Sequence, residues 1–132
     1  MNLLENTILP ILLSGIIAVI ISGWQQRRFN ILMVKRDVLR RFVGNRYALT
    51  ESLKGQTGEP FIALNEIFVV YAKDQQVIAA LKKMHEELRV SDRLSDNIVT
   101  LTKAMAKAAK VPINDLNDEF ITRPFTPPSK GC

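Results

Sequence analysis

The stretch from Ile8 to Trp24, ILPILLSGIIAVIISGW, constrains this chain most. Its 17 residues carry no charge, and only Ser14 and Ser22 bring hydroxyls. At about 1.5 Å of rise per residue, a helix of roughly 17–20 residues covers about 25–30 Å, close to the thickness of a hydrocarbon core. Leu3, Leu4 and Thr7 bring the segment to full length. An uncharged apolar run this long points to a membrane span rather than to the core helix of a soluble domain. A cleaved signal peptide would carry basic residues ahead of the run and a small-x-small site behind it. Here only Glu5 precedes it, and Gln25, Gln26, Arg27 and Arg28 follow, as in a helix entering a headgroup region. The expectation is a retained transmembrane anchor over residues 1–26.

Charge is ordered about this segment. The formal net charge is +5, yet residues 25–54 hold eight basic side chains against two acids, whereas residues 55–132 hold ten of each sign. Lys and Arg close behind a span mark the cytoplasmic side. The pattern predicts a single pass through the cell (inner) membrane, with the amino terminus outside and the carboxyl-terminal domain in the cytoplasm. Arg27, Arg28, Lys35, Arg36, Arg40 and Arg41 are the candidate contacts to anionic headgroups, at about 1 kcal/mol per basic group near the surface. Nucleic acid would also suit basic charge. No aromatic residues are spaced as a stacking platform, however, and the bilayer already accounts for the charge, so nucleic acid is not the expected partner. The single cysteine, Cys132, cannot form an intramolecular disulfide, in keeping with a cytoplasmic domain.

Within the span, Pro10 falls in the first turn, where a missing N–H breaks little. Ser14, Ala18 and Ser22 recur every fourth residue, flanked by Gly15 and Gly23, and small residues so spaced let helices approach closely in lipid. They are the candidate packing face of a homo-oligomer.

From Gln25 helix is expected to continue as a basic juxtamembrane amphipathic helix over 27–54. Ile31, Val34, Val38, Phe42, Leu49 and Leu53 follow helical spacing, with Asn45 in the one gap, and Phe29, Leu32, Leu39, Val43 and Tyr47 form an adjacent line. Asn45 either fixes the register of a helix pair or is exposed where Gly44 bends the helix. The sequence GQTGEP, residues 55–60, reads as a loop with Thr57 or Gly58 as a cap. FIALNEIFVVYA, residues 61–72, is ambiguous. Its β-branched and aromatic residues suit a strand, but Phe61, Leu64, Phe68 and Tyr71 sit at helix spacing and a lone strand would lack a partner. The reading taken is a mostly buried helix. Asp74 then caps a helix carrying Val77, Ile78, Leu81, Met84 and Leu88, to about Arg89. A connection over 91–95 leads, with Asp92 or Ser95 as cap, into a last long helix whose inner face holds Ile98, Leu101, Thr102, Met105 and Ala109, stopped by Pro112. Leu116, Phe120, Ile121 and Phe125 are placed to dock on the bundle, through a short turn near 115–120. The fold class is all-α: an anchor continuing into a small helical domain over 55–126, with a disordered tail over 127–132.

The inventory for chemistry is thin. The one histidine, His85, lies in Lys82-Lys83-Met84-His85-Glu86-Glu87, a charged helix surface; as a general base it would need a partner such as Glu66 or Tyr71. No Cys/His pair has metal-ligand spacing, and no phosphate-binding glycine loop or nucleophile elbow is present. Asn114, Asp115, Asn117, Asp118 and Glu119 supply oxygens without the glycine and terminal glutamate of a calcium loop. The chain is therefore read as a non-enzyme without cofactor or metal. Two short pieces remain: Ala63-Leu-Asn-Glu-Ile67, which sets Asn65 and Glu66 in an apolar helix, and the extended Arg123-Pro124-Phe125-Thr-Pro-Pro128, either a strap on the bundle or a docking peptide for a partner. A single amino-terminal span, Leu-Asn-Glu-Ile and a distal Arg-Pro-Phe together resemble an uncharacterised family of small single-span bacterial membrane-anchored proteins, a domain of unknown function. The resemblance implies no activity or site residue. The expected function is a membrane-anchored interaction or regulatory subunit holding a protein partner at the cytoplasmic face; the alternative is an oligomeric membrane-acting effector or small toxin.

Overall fold

A computed structural model describes residues 2–51, 59–88, 91–112 and 117–122. The protein is all-α, with no strand among the described residues. A π-helical turn, Leu4–Ile8, leads into α1, Leu9–Glu51; α2 is Glu59–Val70, α3 Gln75–Glu86, α4 Ser91–Ala108 and α5 Asp118–Thr122. Two compact units divide the chain at Met33 and Val34, and α1 contributes residues to both.

In the first unit the apolar side chains from Ile8 to Trp24 have no interior to enter. Leu9, Ile11, Leu12, Leu13, Ile16, Ile17, Val19, Ile20 and Ile21 are all exposed. One helix here is long and apolar enough to cross a membrane, and none of its most apolar stretch is buried. Pro10 sits later in the helix than the first turn, because helix already runs through residues 2–9. A proline there removes a donor and presses on the carbonyl four residues back. The wider π turn just ahead of it is the kind of local adjustment that admits such a ring.

The second unit is built on the later part of α1. Val38, Leu39 and Phe42 are buried, whereas Val34 and the residues upstream of it on the same seam are exposed or half-buried. Gly44 causes no break and Asn45 is half-buried inside continuous helix. The ambiguous segment is helical: Ala63, Ile67 and Tyr71, four residues apart, all point into the core. Helical hydrogen bonds satisfy its backbone internally, whereas a solitary strand would leave backbone groups unpaired. In α3 the buried face is Val77, Ala80 and Met84; Ile78, Leu81 and Leu88 are only half-buried. The expected inner face of α4 is buried in full, Ile98, Leu101, Thr102, Met105 and Ala109. Thr102 returns its hydroxyl to the carbonyl of Ile98 at 2.7 Å, so no polar group is stranded. Ile121 of α5 is buried and Phe120 exposed.

The helix ends differ from expectation in three places. Asp74 occupies the N-cap position of α3 with an extended backbone, but its carboxylate makes no capping bond and pairs with Lys35 instead. α4 begins at Ser91, so Asp92 lies in its first turn, where an acid suits the helix dipole, and neither Asp92 nor Ser95 is a cap. α4 ends at Ala108, four residues before Pro112, in a Schellman turn. Lys110 is left-handed with φ 54°, its N–H donates to Lys107 O at 3.2 Å, and the Val111 N–H donates to Ala106 O at 2.9 Å. Of the loop expected over 55–60, Glu59 and Pro60 open α2, while residues 55–58 with the expected cap, Leu116, Phe125 and the tail lie outside the described residues.

Candidate docking surface

The basic side chains of α1 in the second unit are turned to structural use. Arg36 Nε donates to Ala109 O at 3.1 Å and Nη2 to Lys110 O at 3.4 Å. These carbonyls belong to the end of α4, where helices leave acceptors unpaired and favour positive charge. Lys35 Nζ lies 2.7 Å from Asp74 and 5.6 Å from the centroid of the Tyr71 ring, and its side chain is only 14% exposed. The buried Tyr71 hydroxyl donates to Lys35 O at 2.6 Å. Burial, with Asp74 close by, pushes the phenol pKa far up, so it stays a donor. Arg41 Nη1 pairs with Glu66 at 2.9 Å, tying α1 to α2, and Arg40 pairs with Asp37 within α1.

Arg46, which sequence reasoning counted only among the basic residues, is buried and donates to Val43 O and Phe120 O, clamping α5 to α1. Desolvation lowers its pKa from the ordinary arginine value. Its register was the available signal: Val38, Phe42 and Arg46 are four residues apart and share one face. Of the six candidate lipid contacts, then, four have intramolecular partners in the second unit. Arg27 and Arg28 belong to the first unit, where the Arg28 guanidinium sits 4.6 Å over the Trp24 ring, a cation–π pair.

Among the described residues of the second unit, α2 carries an open apolar surface. This helix is apolar nearly all round. Ala63 and Ile67 face the core, while Ile62, Phe68 and Val69 are 57%, 61% and 71% exposed. A helix with two apolar faces and one core to pack on leaves the second face without a partner. Two grooves flank it. One, between α1 and α2, is lined by Val34, Val38, Ile62 and Val69 with the Arg41–Glu66 pair. The other, of about 370 Å³ between α2 and α3, is lined by Leu64, Phe68, Ile78, Leu81, Met84 and Leu88, with Lys82 and His85 beside them. The half-buried Ile78 and Leu81 of α3, with Leu88 in the turn after it, are thus groove walls. Asn65 lines both grooves from the ridge between them.

The other candidates are less assembled. Ser14, Ala18 and Ser22 are exposed on α1; the Ser14 hydroxyl donates to Ile11 O at 2.8 Å, and a Cβ added at Gly15 or Gly23 would meet nothing within 4 Å. Arg123, Pro124 and Phe125 lie outside the described residues. The two conceivable partners of His85 are engaged elsewhere, Glu66 with Arg41 and Tyr71 with Lys35 O. Asn117 accepts from the Glu119 N–H at 2.9 Å, a local turn at the start of α5. Among the described residues no group of three or more His, Cys, Asp or Glu side chains is arranged to hold a metal ion. No protein family, curated protein or solved structure matches this chain.

Proposed function

We propose that this protein is a membrane-anchored, non-enzymatic interaction subunit: α1 holds it in the bilayer, and the bundle presents the outer face of α2 to a protein partner. The observation that carries the reading is that face, with three large apolar side chains open beside two apolar grooves. Contiguous exposed apolar surface of this kind marks interaction sites. The anchor is supported by the uniformly exposed apolar run of α1 and by the Trp24–Arg28 pair behind it, since Trp and Arg both favour the membrane–water interface. Contact with anionic headgroups falls to Arg27 and Arg28. The excess of Lys and Arg behind the span supports a cytoplasmic bundle at the cell membrane. A place among small single-span bacterial proteins belongs to the same proposal and brings no activity with it.

The test uses full-length protein in native membranes and a form lacking residues 8–24. The reading predicts that the deletion moves the protein to the soluble fraction while partner binding survives, and that Val69→Glu abolishes that binding in both forms. A folded soluble form that binds nothing the full-length protein binds would contradict it. The effector reading is less well supported, because Ser14 satisfies its hydroxyl within its own helix and leaves little polar surface to line a pore. It predicts membrane depolarisation on overexpression.

A further inference from the structure

We infer that α5 is a displaceable plug over a carboxylate-binding site centred on Arg46. The ligand is a peptide segment of another protein that carries an aliphatic side chain beside a carboxylate. This site shares no residue with the outer face of α2 and does not depend on it.

The site is built around a buried charge. Arg46 is only 8% exposed. Its Nη1 donates to Val43 O in its own helix and its Nη2 to Phe120 O of α5. Nε, also buried, has no hydrogen-bond partner. The N–H of Nε and one N–H of Nη2 lie side by side along one edge of the planar guanidinium, and such an edge matches the two oxygens of a carboxylate. α5 offers this edge a single neutral oxygen. The edge is half used, and the unspent half is a buried donor, which costs free energy until an acceptor meets it. A carboxylate in place of the Phe120 carbonyl would take both hydrogens and bring the counter-charge that a buried guanidinium favours.

The plug is weakly held. α5 has five residues, and a helix so short does not persist in water without tertiary support. Ile121 is its one buried side chain and fills a place in the core cluster. Lys103 Nζ and Asp118 lie 2.7 Å apart, but at the surface, where such pairs contribute little. An open groove between α4 and α5 is lined by Asp96 from the first and by Asp118 and Glu119 from the second, so like charges meet across the contact.

Release of α5 would leave two features side by side, the apolar socket of Ile121 and the anion-binding edge of Arg46. Asp118 and Glu119 depart with the plug. A ligand that replaces both contacts must bring an aliphatic group next to a carboxylate, and α5 keeps the site shut until it arrives.

The test is made by NMR on the isotope-labelled full chain in detergent micelles, with the Arg46 Nε–H resonance identified by its loss in Arg46→Lys. The probe is isovalerate, a branched aliphatic group beside a carboxylate; isovaleramide has the same shape without the charge. Ile121→Ser opens the plug by removing its buried contact, and Lys103→Glu opens it from the surface by setting an acid against Asp118. Isovalerate should shift the Arg46 resonance in both variants, with an affinity about tenfold or more above that for the native chain, and isovaleramide should not. Circular dichroism should show the helicity of the bundle retained. No response to isovalerate in a folded variant, an equal response to isovaleramide, or equal affinity in native chain and variants would overturn the inference. Loss of helicity in both variants would overturn it as well, since α5 would then belong to the core.

Discussion

Arg36 and Arg28 lie eight residues apart on one helix and meet different surroundings. Arg36 caps two carbonyls at the end of α4, and Arg28 stacks on Trp24. Arg36→Ala should lower the stability of the bundle by about 1–2 kcal/mol, since hydrogen bonds to a charged group are worth more than neutral ones and partial exposure reduces the gain. Arg28→Ala should leave stability unchanged. Thermal unfolding followed by circular dichroism separates the two. Lys110 occupies a left-handed position that glycine takes without strain, so Lys110→Gly should raise stability by about 0.5–1 kcal/mol in the same assay. Glu87 accepts from Asn97 at 2.9 Å and from Arg93 at 3.2 Å, and these bonds, the Asn97 bond foremost, hold its carboxyl below the ordinary value of 4.5. A depressed acid contributes stability above its ordinary value and loses it as pH falls through the depressed one. The unfolding temperature of the native protein should exceed that of Glu87→Gln at pH 7, and the gap should close in acid below 4.5. At this scale the sequence shows residue types, not directions. Nothing in Lys35-Arg36 tells that one side chain reaches α4 and the other Asp74, because those partners lie far along the chain.

The helices themselves were more legible. The passage of α1 through Gln25 and the inner face of α4 follow from apolar spacing, whereas a bend at Gly44 was left open and the short turn expected near 115–120 is instead a helix, Asp118–Thr122, that carries Ile121. α2 was ambiguous because its β-branched residues and its spacing disagree; burial every fourth residue, at Ala63, Ile67 and Tyr71, resolves it as helix. The outer face of α2 was missed as a site. In a run of nearly uniform hydrophobicity, spacing alone cannot say which apolar residues the core accepts. The two faces should respond differently to truncation. Ile67→Ala should cost about 2–5 kcal/mol, as for other fully buried aliphatic residues, whereas Val69→Ala should cost less than about 0.5 kcal/mol. Equal effects in denaturant titrations would mean that α2 is covered on both sides within a single copy. The ends of the helices were the least legible part. Asp74 shows why: a residue with the right chemistry for a cap is drawn away by a stronger partner brought up by the fold.

For the molecule as a whole, one helix supplies both an apolar run with nothing packed on it and the buried strut of a small domain. Composition predicted the first of these duties and the seam at Val38 and Phe42 the second. What the bundle holds was not legible, because specificity depends on a surface that only the packed helices create. The bilayer is the premise of the anchored reading. The measurement that tests it most directly is alkaline carbonate extraction of membranes from cells making the full chain, with the form lacking residues 8–24 beside it. The account predicts that the full chain stays in the membrane pellet and the deleted form stays soluble. Release of the full chain into the carbonate supernatant would contradict it.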